Sequence, residues 1–145
     1  MAKIDIHGAI KDINLNDGKS IMATINDGIA ALKSLSEVHK TYQQTQKDTA
    51  NTQADIDDRM TKETNRHIEK MAEIEDGKAK LESFAEDRKA WYSTFQTIVD
   101  SFRAEYEYYL STGDVKDPTI ASSLKDLRSV LLSLSKDLIS AKPKN

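Results

Sequence analysis

Apolar residues recur along most of the chain at alternating steps of three and four residues, the heptad spacing of packed α-helices. A single heptad register connects Ile25 to Tyr109, and residues 1–117 contain no proline that would interrupt a helix. The pattern predicts an all-α protein, an elongated helical hairpin or coiled coil built on a long heptad region over residues 17–110.

The weakest part of this register lies in residues 43–53, where QQTQKDTANTQ is polar on every face. Two interpretations remain open. The segment could be the solvated middle of one helix about 135 Å long, or the chain could turn at 48–53, with Asn51 or Thr52 capping the next helix. The unbroken register favours one helix, whereas the composition favours the turn, which we adopt. The resulting elements are an N-terminal helix over about 17–48 and a central helix over about 54–110.

A clearer interruption follows at residues 111–117. Gly113 suits the end of a helix, and Asp117 followed by Pro118 is a typical helix start. We therefore predict a C-terminal helix over 118–141 that packs antiparallel on the central helix. Its apolar positions again recur at steps of three and four, and they are Ile120, Leu124, Leu127, Leu131, Leu134 and Leu138.

The two ends of the chain carry no comparable pattern. Residues 1–16 predict an irregular lead-in, with Asp17 as a candidate cap for the first helix, and residues 142–145 predict a short tail.

The aromatic residues are concentrated in residues 84–109, which hold eight of the nine in the chain; Tyr42 is the ninth. Beside the heptad positions, a further row repeats every seven residues in this segment, formed by Ala85, Tyr92, Val99 and Tyr106. The apolar stripe is therefore wider than one neighbouring helix can cover. The C-terminal helix is the simplest cover for part of it. Net charges of −4 over 81–117 and +3 over 118–145 agree with that pairing.

The rest of the stripe needs another cover, which could be the first helix, a second copy of the chain or a foreign partner. A helix of about 30 residues leaving a turn at 48–53 would end near residue 81, where the wide stripe only begins. We therefore expect a homodimer or higher oligomer. Its predicted interface comprises Trp91, Tyr92, Phe95, Val99, Phe102 and Tyr106.

Composition narrows the classes of function. The net charge is −3, from 21 basic and 24 acidic residues, which argues against a nucleic-acid partner. The chain has no cysteine, and no apolar run approaches the roughly 18 residues of a membrane span. The start, MAKIDIHGAI, lacks the apolar run of a secretory signal. We expect a cytoplasmic protein, although export without a signal peptide is also compatible with the sequence.

Candidate chemistry is sparse. NDGKS at residues 16–20 lacks the first glycine of a phosphate-binding loop, and DIDD at 55–58 lacks the glycine of a calcium loop. His39 and His67 share one heptad row, and Glu63 stands four residues before His67, but two side chains are too few for a metal site. We therefore predict no catalytic, cofactor-binding or metal-binding residues and no enzyme.

These observations favour a non-catalytic coiled-coil interaction protein. It would be a scaffold, adaptor or chaperone-like protein that associates with itself or binds a partner helix. The alternative is a small acidic helical inhibitor or regulator of another protein, such as a phage or secretion-system accessory factor.

Overall fold

The computed structural model describes residues 18–47, 52–112 and 115–142 of the chain. Within these ranges it contains helices and no strand, which confirms the predicted all-α class. The predicted lead-in over 1–16 lies outside the described residues, as does the tail beyond Lys142. The helices, numbered in chain order, are α1 (Gly18–Lys47), α2 (Gln53–Ser83), α3 (Arg88–Thr112) and α4 (Pro118–Ala141).

Helices α1 and α2 lie side by side and run in opposite directions. Lys78 Nζ donates to Asn26 Oδ1 at 2.6 Å, and nearer the connection His39 Nε2 lies 3.2 Å from Glu63 Oε1. The first contact spans 52 positions of the chain and the second spans 24. The separation shrinks toward the connection, so α2 runs back along α1. A single helix through both elements is therefore wrong, and the turn predicted at 48–53 lies mostly outside the described residues, which omit 48–51.

The predicted central helix over 54–110 is also wrong, because the chain turns between α2 and α3. The amide of Phe84 donates to the Lys80 carbonyl at 2.8 Å and closes α2. Asp87 then caps α3, since its Oδ1 accepts from the amide of Ala90 at 3.0 Å. The coiled coil predicted over 17–110 is therefore not confirmed.

The C-terminal helix has the start that its sequence predicts. The Asp117 side chain accepts from the amides of Thr119 and Ile120 at 2.8 and 3.3 Å, and Pro118 is the first helical residue. A proline there loses no helical hydrogen bond, since the first amides of a helix have no carbonyl partner within it. The helix that we predicted over 118–141 has the same bounds in the structure.

The four helices pack as an antiparallel bundle in which each packs mainly on two neighbours. α1 packs on α2 and α4, and α3 packs on the same two helices from the other side. Two glycines allow close approach. A Cβ on Gly28 would lie 2.8 Å from the Phe102 ring, and one on Gly77 would lie 2.8 Å from Ile98. The core runs the length of the bundle, and its fully enclosed side chains include Ile25, Leu32, Leu35, Ile74, Leu81, Phe95, Ile98, Phe102, Ile120, Leu127 and Leu134.

Candidate functional site

The residues predicted to form a self-association interface lie mostly inside this single bundle. Trp91, Phe95, Val99 and Phe102 are at most 5% exposed and belong to the core, whereas Tyr92 and Tyr106 are partly buried. The turn before α3 is the physical reason, because it folds α3 back on α2 and lets α1 reach the stripe, where Gly28 lies against the Phe102 ring. The stripe is thus covered by the chain itself, and these four buried side chains offer no free surface. Self-association stays a prediction, but it needs another face.

One end of the bundle interior is polar rather than apolar. Glu105 of α3 is 0% exposed, and Arg66 of α2 holds it with two parallel hydrogen bonds. Arg66 Nη2 donates to Oε1 at 2.6 Å and Nη1 donates to Oε2 at 3.3 Å. The guanidinium also lies 3.4 Å from the ring centroid of Tyr108. This two-pronged geometry satisfies both oxygens of a carboxylate that would otherwise be costly to bury.

A second carboxylate, that of Glu63, lies beside the first. Its Oε1 accepts hydrogen bonds from Tyr108 Oη at 2.5 Å and from Gln43 Nε2 at 3.2 Å, and His39 Nε2 lies 3.2 Å away. Burial alone would raise the pKa of Glu63, but the contacts with His39, Tyr108 and Gln43 outweigh it and lower the pKa to about 2. Burial raises the pKa of the neighbouring Tyr109 to about 12.

The lowered pKa of Glu63 predicts that its contribution to stability depends on pH. The pKa falls from 4.5 to about 2 on folding, so this contribution is present above pH 4.5 and is lost as the pH falls through about 2. Urea denaturation of the wild type and of Glu63→Gln should therefore show a difference in the free energy of unfolding that shrinks as the pH falls from about 5 toward 2. A difference that does not change with pH would contradict the assignment.

This polar cluster serves best as an internal lock between α1, α2 and α3. In the described ranges, no group of three or more His, Asp or Glu side chains is placed to hold a metal ion. Sequence reasoning singled out His39, Glu63 and His67, but the structure pairs Glu63 with His39 and places His67 Nδ1 3.9 Å from a carboxylate oxygen of Glu105. Arg66 was missed because it appears in the sequence as one charged residue among many, whereas Glu105 stands at a heptad position, seven residues after Ile98, which was the available signal for its burial.

The surface of the bundle has an unusual face on α4. Leu132 and Ile139 are 62% and 76% exposed and stand seven residues apart, so they lie on the same side of the helix. Exposed Lys125, Arg128 and Lys136 surround them. The two acidic residues of α4, Asp126 and Asp137, lie outside this group, at about 100° and 120° around the helix axis from Lys125. We call Lys125, Arg128, Leu132, Lys136 and Ile139 the α4 face.

An acidic counterpart lies on the outside of α2. Ile68 is 58% exposed, Ala72 is also exposed, and three exposed acids flank them. Asp76 pairs with Lys80 of its own helix at 3.1 Å, so Glu69 and Glu75 carry most of the negative charge. We call Ile68, Glu69, Ala72, Glu75 and Asp76 the α2 face.

Among the described helices, none is both long and apolar enough to cross a membrane. Comparison of the chain with protein-family models, with curated proteins and with solved structures finds no match.

Proposed function

We propose that this chain is a non-catalytic helical interaction protein, of the scaffold, adaptor or chaperone-like kind, which binds a partner through the α4 face. One observation carries the proposal: Leu132 and Ile139 are exposed on the same helix whose other large aliphatic residues form the core. An apolar centre with a charged rim is the usual anatomy of a docking surface. We place the protein in the cytoplasm, where the absence of cysteine is ordinary.

The interior supports a non-catalytic role. The carboxylates of Glu63 and Glu105 are occupied by Arg66, Tyr108 and Gln43, which belong to the packing of the helices against one another. Groups held in this way fix the relative positions of helices. Glu105 in particular is poorly placed to bind a substrate, because its side chain is 0% exposed and both of its oxygens accept hydrogen bonds from Arg66.

A second candidate is an acidic inhibitor or regulator of a basic target, and the α2 face favours it. Glu69, Glu75 and Asp76 are exposed on one side of α2 around Ile68. Such a surface could cover a basic site on another protein, with opposite charges speeding the encounter.

Affinity capture from the native source followed by mass spectrometry tests both candidates. One bait is the wild type, a second carries Leu132→Ser with Ile139→Ser, and a third carries Glu69→Gln with Glu75→Gln. All four positions are exposed, so circular dichroism should show three equally folded baits. The interaction proposal expects a partner that only the α4 variant loses. A partner lost only by the α2 variant would favour the inhibitor, and a foreign partner captured equally by all three baits would contradict both.

A further inference from the structure

We infer that the partner of the α4 face is a second copy of this chain, bound through its α2 face. The inference rests on the proposed function, because it names the partner for the same docking surface. It differs from the predicted aromatic interface in using two different surfaces, both of which are exposed in the folded bundle.

The two faces are complementary in charge. Lys125, Arg128 and Lys136 give the α4 face three positive charges and no negative one. Glu69 and Glu75 give the α2 face most of its negative charge around an apolar centre, since Asp76 is paired with Lys80 of its own helix. Opposite potentials on facing surfaces speed association and select orientation.

The two faces also match in shape. Leu132 and Ile139 lie about 10 Å apart along α4, which leaves a gap between them for one aliphatic side chain. Ile68 projects from α2 with the small side chain of Ala72 one turn away, so a second helix can approach closely there. Seating Ile68 between Leu132 and Ile139 would bury three side chains that are 58%, 62% and 76% exposed in the single chain.

The positions of the two helices decide the kind of assembly. α2 and α4 occupy opposite corners of the bundle, since each packs on α1 and α3. Their outer faces therefore point to opposite sides of the molecule. A contact between them is head-to-tail, and each added copy leaves one α4 face and one α2 face free, so the assembly is an open chain and not a closed dimer.

Sedimentation equilibrium over a range of concentrations tests this inference at low salt. The wild type should show an average mass that rises steadily with concentration, and about 1 M salt should reverse the rise, because charges are then screened beyond about 3 Å. A control with Ala104→Glu, at an exposed position of α3 outside both faces, should associate like the wild type.

A mixing experiment with two variants gives the sharpest outcome. The first variant, Leu132→Glu with Ile139→Glu, loses the α4 face, and the second, Ile68→Lys with Glu75→Lys, loses the α2 face. Each alone should have the mass of one chain. Mixed in equal amounts, they should form a species of two chains and nothing larger, because each supplies the one intact face that the other needs.

Three results would overturn the inference. One is a wild type that keeps the mass of one chain up to hundreds of micromolar, in which case the capture experiment still decides whether a foreign partner uses the α4 face. Another is a wild type that stops at two chains. The third is a mixture of the two variants that stays at the mass of one chain while the wild type associates.

Discussion

Replacing Arg66 by alanine is expected to lower the free energy of unfolding by about 3–5 kcal/mol. The substitution removes both hydrogen bonds to Glu105, whose side chain is 0% exposed, and leaves a buried carboxylate without its cation. Removing one partner of a buried ion pair lowers the free energy of unfolding by more than the intact pair raises it. The reason is that the remaining charge is then buried without water and without its counter-ion. Urea denaturation at neutral pH measures the loss.

The matched control removes both partners together. Arg66→Met with Glu105→Leu replaces the ion pair by apolar side chains of similar size, and such exchanges are often neutral or stabilising. We expect this double variant to be much more stable than Arg66→Ala. If the double variant and the single variant were equally destabilised, the cost would come from lost packing, and the ion pair would not be the lock that we describe.

Replacing Leu127 by aspartate should have an effect at least as large. Leu127 is 0% exposed in the core between α4 and its neighbours. The change removes an aliphatic side chain worth about 2–5 kcal/mol and adds a charge with no partner. Since small domains are stable by only about 5–15 kcal/mol, we expect much of the population to unfold. Fluorescence of Trp91, which is 5% exposed in the folded protein, reports the change directly.

Leu132→Asp is the control for this prediction, because it makes the same chemical change five residues further along the same helix. Leu132 is 62% exposed, and surface substitutions usually change stability by about 0.5 kcal/mol or less. At a concentration low enough for both proteins to be single chains, the control should melt like the wild type. Equal losses at the two positions would mean that α4 does not present the face to the core that the structure shows.

The elements that could be predicted from the sequence are those with local signals of their own. The start of α4 is determined by Asp117 and Pro118, which act on neighbouring amides and need no tertiary contact. The separation of α1 from α2 could be anticipated from the polar stretch over 43–53, where no apolar stripe exists to hold a helix against another. In both places the determining chemistry lies within a few residues.

The turn between α2 and α3 could not be predicted in this way. The segment Phe84–Asp87 contains neither glycine nor proline, and the heptad register passes through it unchanged. The apolar residues stay in phase because α2 and α3 both face one shared core. The one local signal was Asp87, which caps the amide of Ala90, but it lies among other charged residues. Missing this turn placed the aromatic stripe at an interface between chains.

The predicted self-association interface was misplaced because of the same missed turn. With one helix over 54–110, Tyr92, Val99 and Tyr106 seemed to need a second chain, whereas in the bundle Val99 is 0% exposed. Leu132 and Ile139 were the better indication of a docking surface. Both are aliphatic, yet both lie outside the row of apolar residues that recurs along α4 at steps of three and four. An aliphatic residue outside the core pattern marks a surface that the core does not explain.

The turn at residues 84–87 places the aromatic stripe inside the bundle, and a distance between α2 and α3 tests whether the chain turns there. The chain has no cysteine, so Ala72→Cys with Ala104→Cys allows spin labels at two exposed positions that the bundle sets side by side. Pulsed electron paramagnetic resonance, on labelled protein diluted with unlabelled protein, then reports the distance within one chain. The bundle predicts a distance under about 30 Å, because neighbouring helix axes lie about 8–10 Å apart. A continuous helix would instead separate the labels by about 48 Å, and that distance would contradict the account.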